Sequence, residues 1–153
     1  MKNLSILIAL LLIAPIYLFA QVNTKSETIE PDPDLATVVF YRTADAERVM
    51  DNWGIFNHQE RICKLSSYKY LVYKTSQGVS DFRGQAWGIL KRPENQEGLE
   101  LPLEKGEIYY VKVDISAIPF NVKMIFSEVT ERTAVLQLKD MKPDRCNRNS
   151  EKT

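Results

Sequence analysis

From Leu35 onward the chain is a succession of short β-branched and aromatic runs, separated by turn residues and without a long helical period. The clearest run is Ile108 to Ile115. Strict alternation puts Tyr109, Val111, Val113 and Ile115 on a core face, and Tyr110, Lys112 and Asp114 on the opposite face or over an edge. Ala36 to Arg42 is a second run, with Val38 and Phe40 on one side and Val39 and Tyr41 on the other. Trp53 to Phe56 and Arg61 to Leu65 flank Asn57-His58-Gln59-Glu60, the pattern of a β-hairpin. Tyr68 to Lys74 reads as a strand, closed by a turn at Gln77-Gly78. Arg83 to Leu90 follows, with Trp87 and Ile89 on one face and Gly84 and Gly88 marking a bulge or bend.

Leu99 to Leu103 alternates and meets the turn Glu104-Lys105-Gly106-Glu107. Val122, Met124 and Phe126 share a strand face, and Thr133 to Lys139 closes the pattern with Ala134, Leu136 and Leu138 inward. Thr43 to Asn52 is polar with scattered apolar residues and reads equally as a loop or a helical turn. Seven or eight short strands at this spacing predict an all-β, antiparallel two-sheet sandwich, with a small β-barrel as the alternative.

The residues before this domain carry an address. Lys2 precedes an apolar run from Leu4 to Phe19 that ends at Ala20-Gln21, the layout of a secretory signal peptide cut between Ala20 and Gln21. An uncleaved membrane anchor is the other reading. A spanning helix takes roughly 20 apolar residues, and this run is slightly short and contains Pro15. No Cys lies near the cut to accept a lipid, and no later stretch has membrane-spanning length. The expected organisation is a leader over 1–20, a polar Pro-containing linker over 21–34, a sandwich over 35–139 and a polar, disordered tail over 140–153. Asp32 and Asp34 in the linker lack the Gly-containing loop of a calcium site.

Charge and cysteine content narrow the partners. The whole chain has a formal charge of zero, and removing a leader that holds Lys2 and no acid leaves −1. Such a surface offers no long-range field for nucleic acid. The two cysteines, Cys63 and Cys146, fit one disulfide in an oxidising compartment. They fit equally a buried thiol at Cys63, between Ile62 and Leu65, and a free thiol in the tail. No second Cys or His accompanies either one, so zinc is not expected, nor any other cofactor.

The order of elements resembles the bacterial family of unknown function numbered two-eight-four-six. The likeness rests on a first strand ending in Val39-Phe40-Tyr41-Arg42, the hairpin Gly54-Ile55-Phe56 with Arg61 to Leu65, a Tyr-rich strand with a Gly turn at Gly78, and Leu103-Glu104-Lys105-Gly106-Glu107 leading into Tyr109-Tyr110-Val111. It would cover 35–139. It implies a small secreted or envelope β-sandwich without an established activity. The family's Pro-Gly turn is Ser76-Gln77-Gly78 here, and the lipid-anchoring Cys of many members is absent.

Catalytic chemistry finds little purchase in this sequence. His58 is the single histidine, placed in a predicted turn, and no Gly-x-Ser-x-Gly elbow exists. Cys63 lies five residues from it across the hairpin but is flanked by apolar residues, a poor setting for a thiolate. Asp114 is the sole acid placed mid-strand, and Glu100 and Glu107 sit at turns, so no carboxylate pair emerges. Aromatics remain: Trp53, Trp87, Tyr73 and Tyr110, with Arg83 nearby, form a candidate binding surface. Tyr73 and Tyr110 are the most exposed of them by strand register. Arg42, closing the first strand, reads as an edge charge that blocks strand addition. The expected function is non-enzymatic, in protein interaction or envelope assembly. Carbohydrate or peptidoglycan binding is the alternative, and a small secreted hydrolase the remote one.

Overall fold

The computed structural model describes residues 29–43, 53–86, 97–118 and 121–148. The expected leader, its cut at Ala20-Gln21, Trp87 and most of the Thr43–Asn52 segment lie outside the described residues.

Among the described residues nine strands form two sheets: β1 (Ala36–Arg42), β2 (Trp53–Asn57), β3 (Glu60–Leu65), β4 (Lys69–Thr75), β5 (Gly78–Ala86), β6 (Leu99–Leu103), β7 (Ile108–Ile118), β8 (Asn121–Val129) and β9 (Lys142–Pro143). The first sheet has the order β8-β7-β1-β4-β9 and the second β3-β2-β5-β6. The two sheets pack face to face as a sandwich, and neither closes into a barrel. Helix α1 (Glu131–Leu138) lies over the outer face of the first sheet, and a 3-10 turn at Arg145–Arg148 ends the described chain.

β1 organises the molecule. It runs antiparallel to β4 and parallel to β7, so it has a strand on each side. The parallel pair departs from the all-antiparallel expectation. It arises because the short Glu104–Glu107 turn carries the chain from β6 in one sheet to β7 in the other, where β7 runs beside β1. Gly106 supplies the left-handed backbone of that turn at φ +79°, and its amide donates to the Leu35 carbonyl at 3.2 Å.

Every residue of β1 is buried. Val38 and Phe40 enter the space between the sheets, where Phe40 meets Phe82 of the facing sheet edge-on at 4.9 Å. Ile55, Leu65, Leu71, Leu101, Val111, Val113 and Met124 complete this core. Val39 and Tyr41 point the other way into a second core with Tyr70, Tyr110, Ala134 and Met141. A strand covered on both faces reads as a continuous apolar run, as Val38 to Tyr41 does.

Three expectations are corrected here. The segment expected as a final strand over Thr133–Lys139 is a helix through Leu138, with Lys139 at its C-terminal cap. Ala134 and Leu138 are four apart and so share a helical face, and both pack on the sheet, while Leu136 stands 72% exposed. Arg42 is not an edge charge: β1 lies at the sheet centre, and Arg42 is 1% exposed opposite Lys69. The tail is ordered through 148. Met141 joins the second core, β9 pairs parallel with β4 at Lys69 and Tyr70, and Asp144 is buried.

The linker's end is held as well. Asp32 binds Lys74 at 2.9 Å and accepts the Asp34 amide, and the Lys74 contact is the main cause holding its carboxyl below the usual range. Gly84 marks a close approach rather than a bulge, because the β2–β5 register runs unbroken from Trp53↔Ala86 to Asn57↔Phe82. A Cβ at Gly84 would fall 2.5 Å from Met124 Cβ.

Candidate functional site

The proposed aromatic surface does not assemble. Trp53 is 1% exposed in the inter-sheet core, and Tyr110 is 7% exposed beneath α1. Alternation had placed Tyr110 outside correctly with respect to the first core. The helix then covers that side. Burial pushes the Tyr110 hydroxyl up from its ordinary pKa, with the Glu131 charge adding to it. Arg83 is turned along its own strand onto Asp81, with Nε 3.0 Å from Oδ1 and 3.2 Å from Oδ2. Of the four proposed members that the structure describes, Tyr73 alone borders an open cleft.

That cleft, about 440 Å³, lies at one end of the sandwich, where the β2–β3 and β4–β5 turns come together. Its floor is polar. Asn57 ends β2 on the inner side and is nearly buried. Its amide nitrogen donates to Tyr73 Oη at 3.4 Å and Ser80 Oγ at 3.2 Å, while its oxygen accepts the Asp81 amide at 3.3 Å. The backbone amide fixes which end of the side chain is which, since an N–H needs an acceptor.

His58 forms the rim in a left-handed conformation, φ 51°, that suits a two-residue hairpin loop. Its Nε2 lies 3.2 Å from the Val79 carbonyl, so that nitrogen carries the proton. Val79 itself is 63% exposed beside it. Asn57 and Ser80 were not singled out by sequence reasoning. A polar residue at a strand end reads as a turn former, and nothing local reveals that two turns share one end.

Cys63 and Cys146 are joined in a disulfide, Cα atoms 6.0 Å apart. Cys63 therefore offers no thiolate to His58. The bond ties β3, in one sheet, to the tail that carries β9 in the other, and Asp144 adds a second tie at Ser66. Among the acids considered, Asp114 pairs with Lys112 on its own strand at 2.9 Å, and Glu100 and Glu107 are exposed. No cluster of metal-ligating side chains occurs among the described residues.

The four sheet edges differ. β6 is five residues long and contains Pro102, which cannot donate to a neighbouring strand. β3 is stapled to the tail through Cys63. β4 is covered at its start by β9 and approached near its end by Asp32. β8 is nine residues long and, among the described residues, pairs on one side only, with β7.

No protein-family model matches this chain, and no curated protein is detectably similar to it.

Proposed function

We propose that this protein is a secreted or periplasmic β-sandwich module that engages a partner protein of the cell envelope by strand addition to β8, with no catalytic role of its own. The observation that carries the reading is the inequality of the edges. Long unpaired edges are templates for association, and folds blunt them by shortening, proline, covalent ties or cover. Those devices are present at β6, β3 and β4. β8 keeps a nine-residue run, with Ile125 41% exposed. Strand addition draws affinity from main-chain hydrogen bonds and specificity from alternate side chains.

The location rests on the Ala20-Gln21 leader pattern and on the disulfide, which forms and persists in oxidising compartments. No helix among the described residues is long and apolar enough to cross a membrane. The likeness to the family numbered two-eight-four-six supports the same envelope setting. The aromatic reading of glycan binding loses its platform with the burial of Trp53 and Tyr110.

The test is site-specific photo-crosslinking in cells, with the probe at Lys123, Ile125 or Ser127 on β8 and at Glu100 on β6 as the control. One recurrent envelope protein captured from β8 positions and absent from Glu100 is the expected result. Capture from both edges alike, or from neither, overturns the proposal.

A further inference from the structure

We propose that the end cleft is a binding site for a neutral sugar, separate from β8 and independent of the partner reading. The argument starts from the Asn57 amide. Because its nitrogen donates to both Tyr73 Oη and Ser80 Oγ, each hydroxyl oxygen is used as an acceptor. Each hydroxyl retains its own proton, and neither proton has an acceptor among the described residues. A hydroxyl held in this way presents a donor. The floor therefore sets two O–H donors side by side, oriented by a side chain that the Asp81 amide locks in place.

The rim has the complementary chemistry. The Glu60 carboxylate accepts, and the exposed Gln59 and Gln77 amides both donate and accept. The ligand must thus accept at its buried end and both donate and accept at its outer end. Adjacent hydroxyls of a sugar do this. The volume falls within the range of small-ligand clefts, about 300–1,000 Å³. Charge disfavours the main competitor: Glu60 is the one acidic group of the lining, no Lys or Arg joins it, and the His58 Nε2 proton is given to the Val79 carbonyl, so a carboxylate or phosphate meets no permanent counter-charge. Tyr73 is braced for this role, with its ring edge-on to Phe82 at 6.4 Å in the core.

The experiment is an NMR titration of the disulfide-bonded mature protein with D-glucose, D-galactose and N-acetyl-D-glucosamine, each alone. The expected result is saturable shifts of the Asn57 side-chain amide and the Ser80 backbone amide with at least one sugar. Tyr73→Phe keeps the ring and removes the donor, and is expected to weaken binding roughly fivefold, the worth of about one neutral hydrogen bond. Ser80→Ala gives an independent check of the second donor. If both variants fail to fold, the location of the shifts in the unaltered protein decides the matter. No saturable shift with any of the three sugars, shifts located away from the cleft, or affinity unchanged in both folded variants overturns the inference.

Discussion

Asp144 accepts the backbone amide of Ser66 at 2.7 Å across 78 residues of sequence. Its own amide donates to the Tyr70 carbonyl at 2.8 Å, so one buried residue holds the tail to the β3–β4 connection and to β4. A hydrogen bond to a charged group contributes about 1.5–3 kcal/mol. Asp144→Ala is expected to lower unfolding stability by about 2 kcal/mol, and Asp144→Asn, which keeps an acceptor, by less. Urea denaturation measures both, and an Asp144→Ala midpoint equal to the unaltered protein would remove this tie from the account.

The disulfide closes a loop of 83 residues. A cross-link over that length stabilises by about 4.5 kcal/mol in the chain-entropy picture. The Cys63→Ser, Cys146→Ser double variant is expected to lose stability on that order. Its tail should also become the first site of limited proteolysis, since β9 holds only two residues on β4. Equal cleavage of the tail in oxidised and double-variant protein would contradict the staple.

Gly84 exists to let Met124 approach β5. Gly84→Ala overfills that contact and is expected to cost about 1–3 kcal/mol. Met124→Ala opens a cavity and costs about 2–5 kcal/mol by itself. The double variant should be more stable than the two losses summed, because Met124→Ala removes the Sδ and Cγ that the new methyl would meet, leaving the Cβ contact alone. A thermal-denaturation cycle reads the coupling, and strict additivity would show that the two residues do not share the space.

Tyr41 and Tyr110 link stability to alkaline pH. Burial raises both hydroxyls, chiefly by disfavouring the charged form, with Asp114 adding to Tyr41 and Glu131 to Tyr110. Tyr41 also donates to Gln137 of α1 at 2.6 Å. The folded state thus binds these protons more tightly than the unfolded state. Their contribution is full below the unfolded pKa of about 10 and is lost as pH rises through the higher folded values. Stability should fall above about pH 10, and Tyr110→Phe should flatten that fall. Denaturation across alkaline pH checks this, and a slope indifferent to Tyr110→Phe would refute the linkage.

The strands were largely legible. The β2–β3 hairpin, the turn at Gln77-Gly78, the Gly106 turn and the two faces of β7 follow from turn chemistry and period-two alternation. α1 was misread because Ala134, Leu136 and Leu138 alternate, while Ala134 and Leu138 also satisfy the helical i, i+4 spacing. Eight residues are too few for periodicity to separate the two. The cleft was illegible for another reason: its floor joins Asn57, Tyr73 and Ser80 from three strands, and no local pattern announces such a meeting.

The sequence by itself determined that most of these segments run as strands and which side chains share a strand face, because backbone sterics and alternation act within a few residues, while the start of β5 at Gly78 rather than Arg83 and the short β9 were not legible. Only the tertiary structure decided what lies over each face. Packing of α1 buried Tyr110, the place of β1 between β4 and β7 put Arg42, at the end of that strand, in a buried position opposite Lys69, and the docked tail brought Cys146 to Cys63. These outcomes depend on contacts between distant segments, where burial of apolar surface outweighs the entropy of closing long loops, and that balance is not encoded in any single stretch of chain.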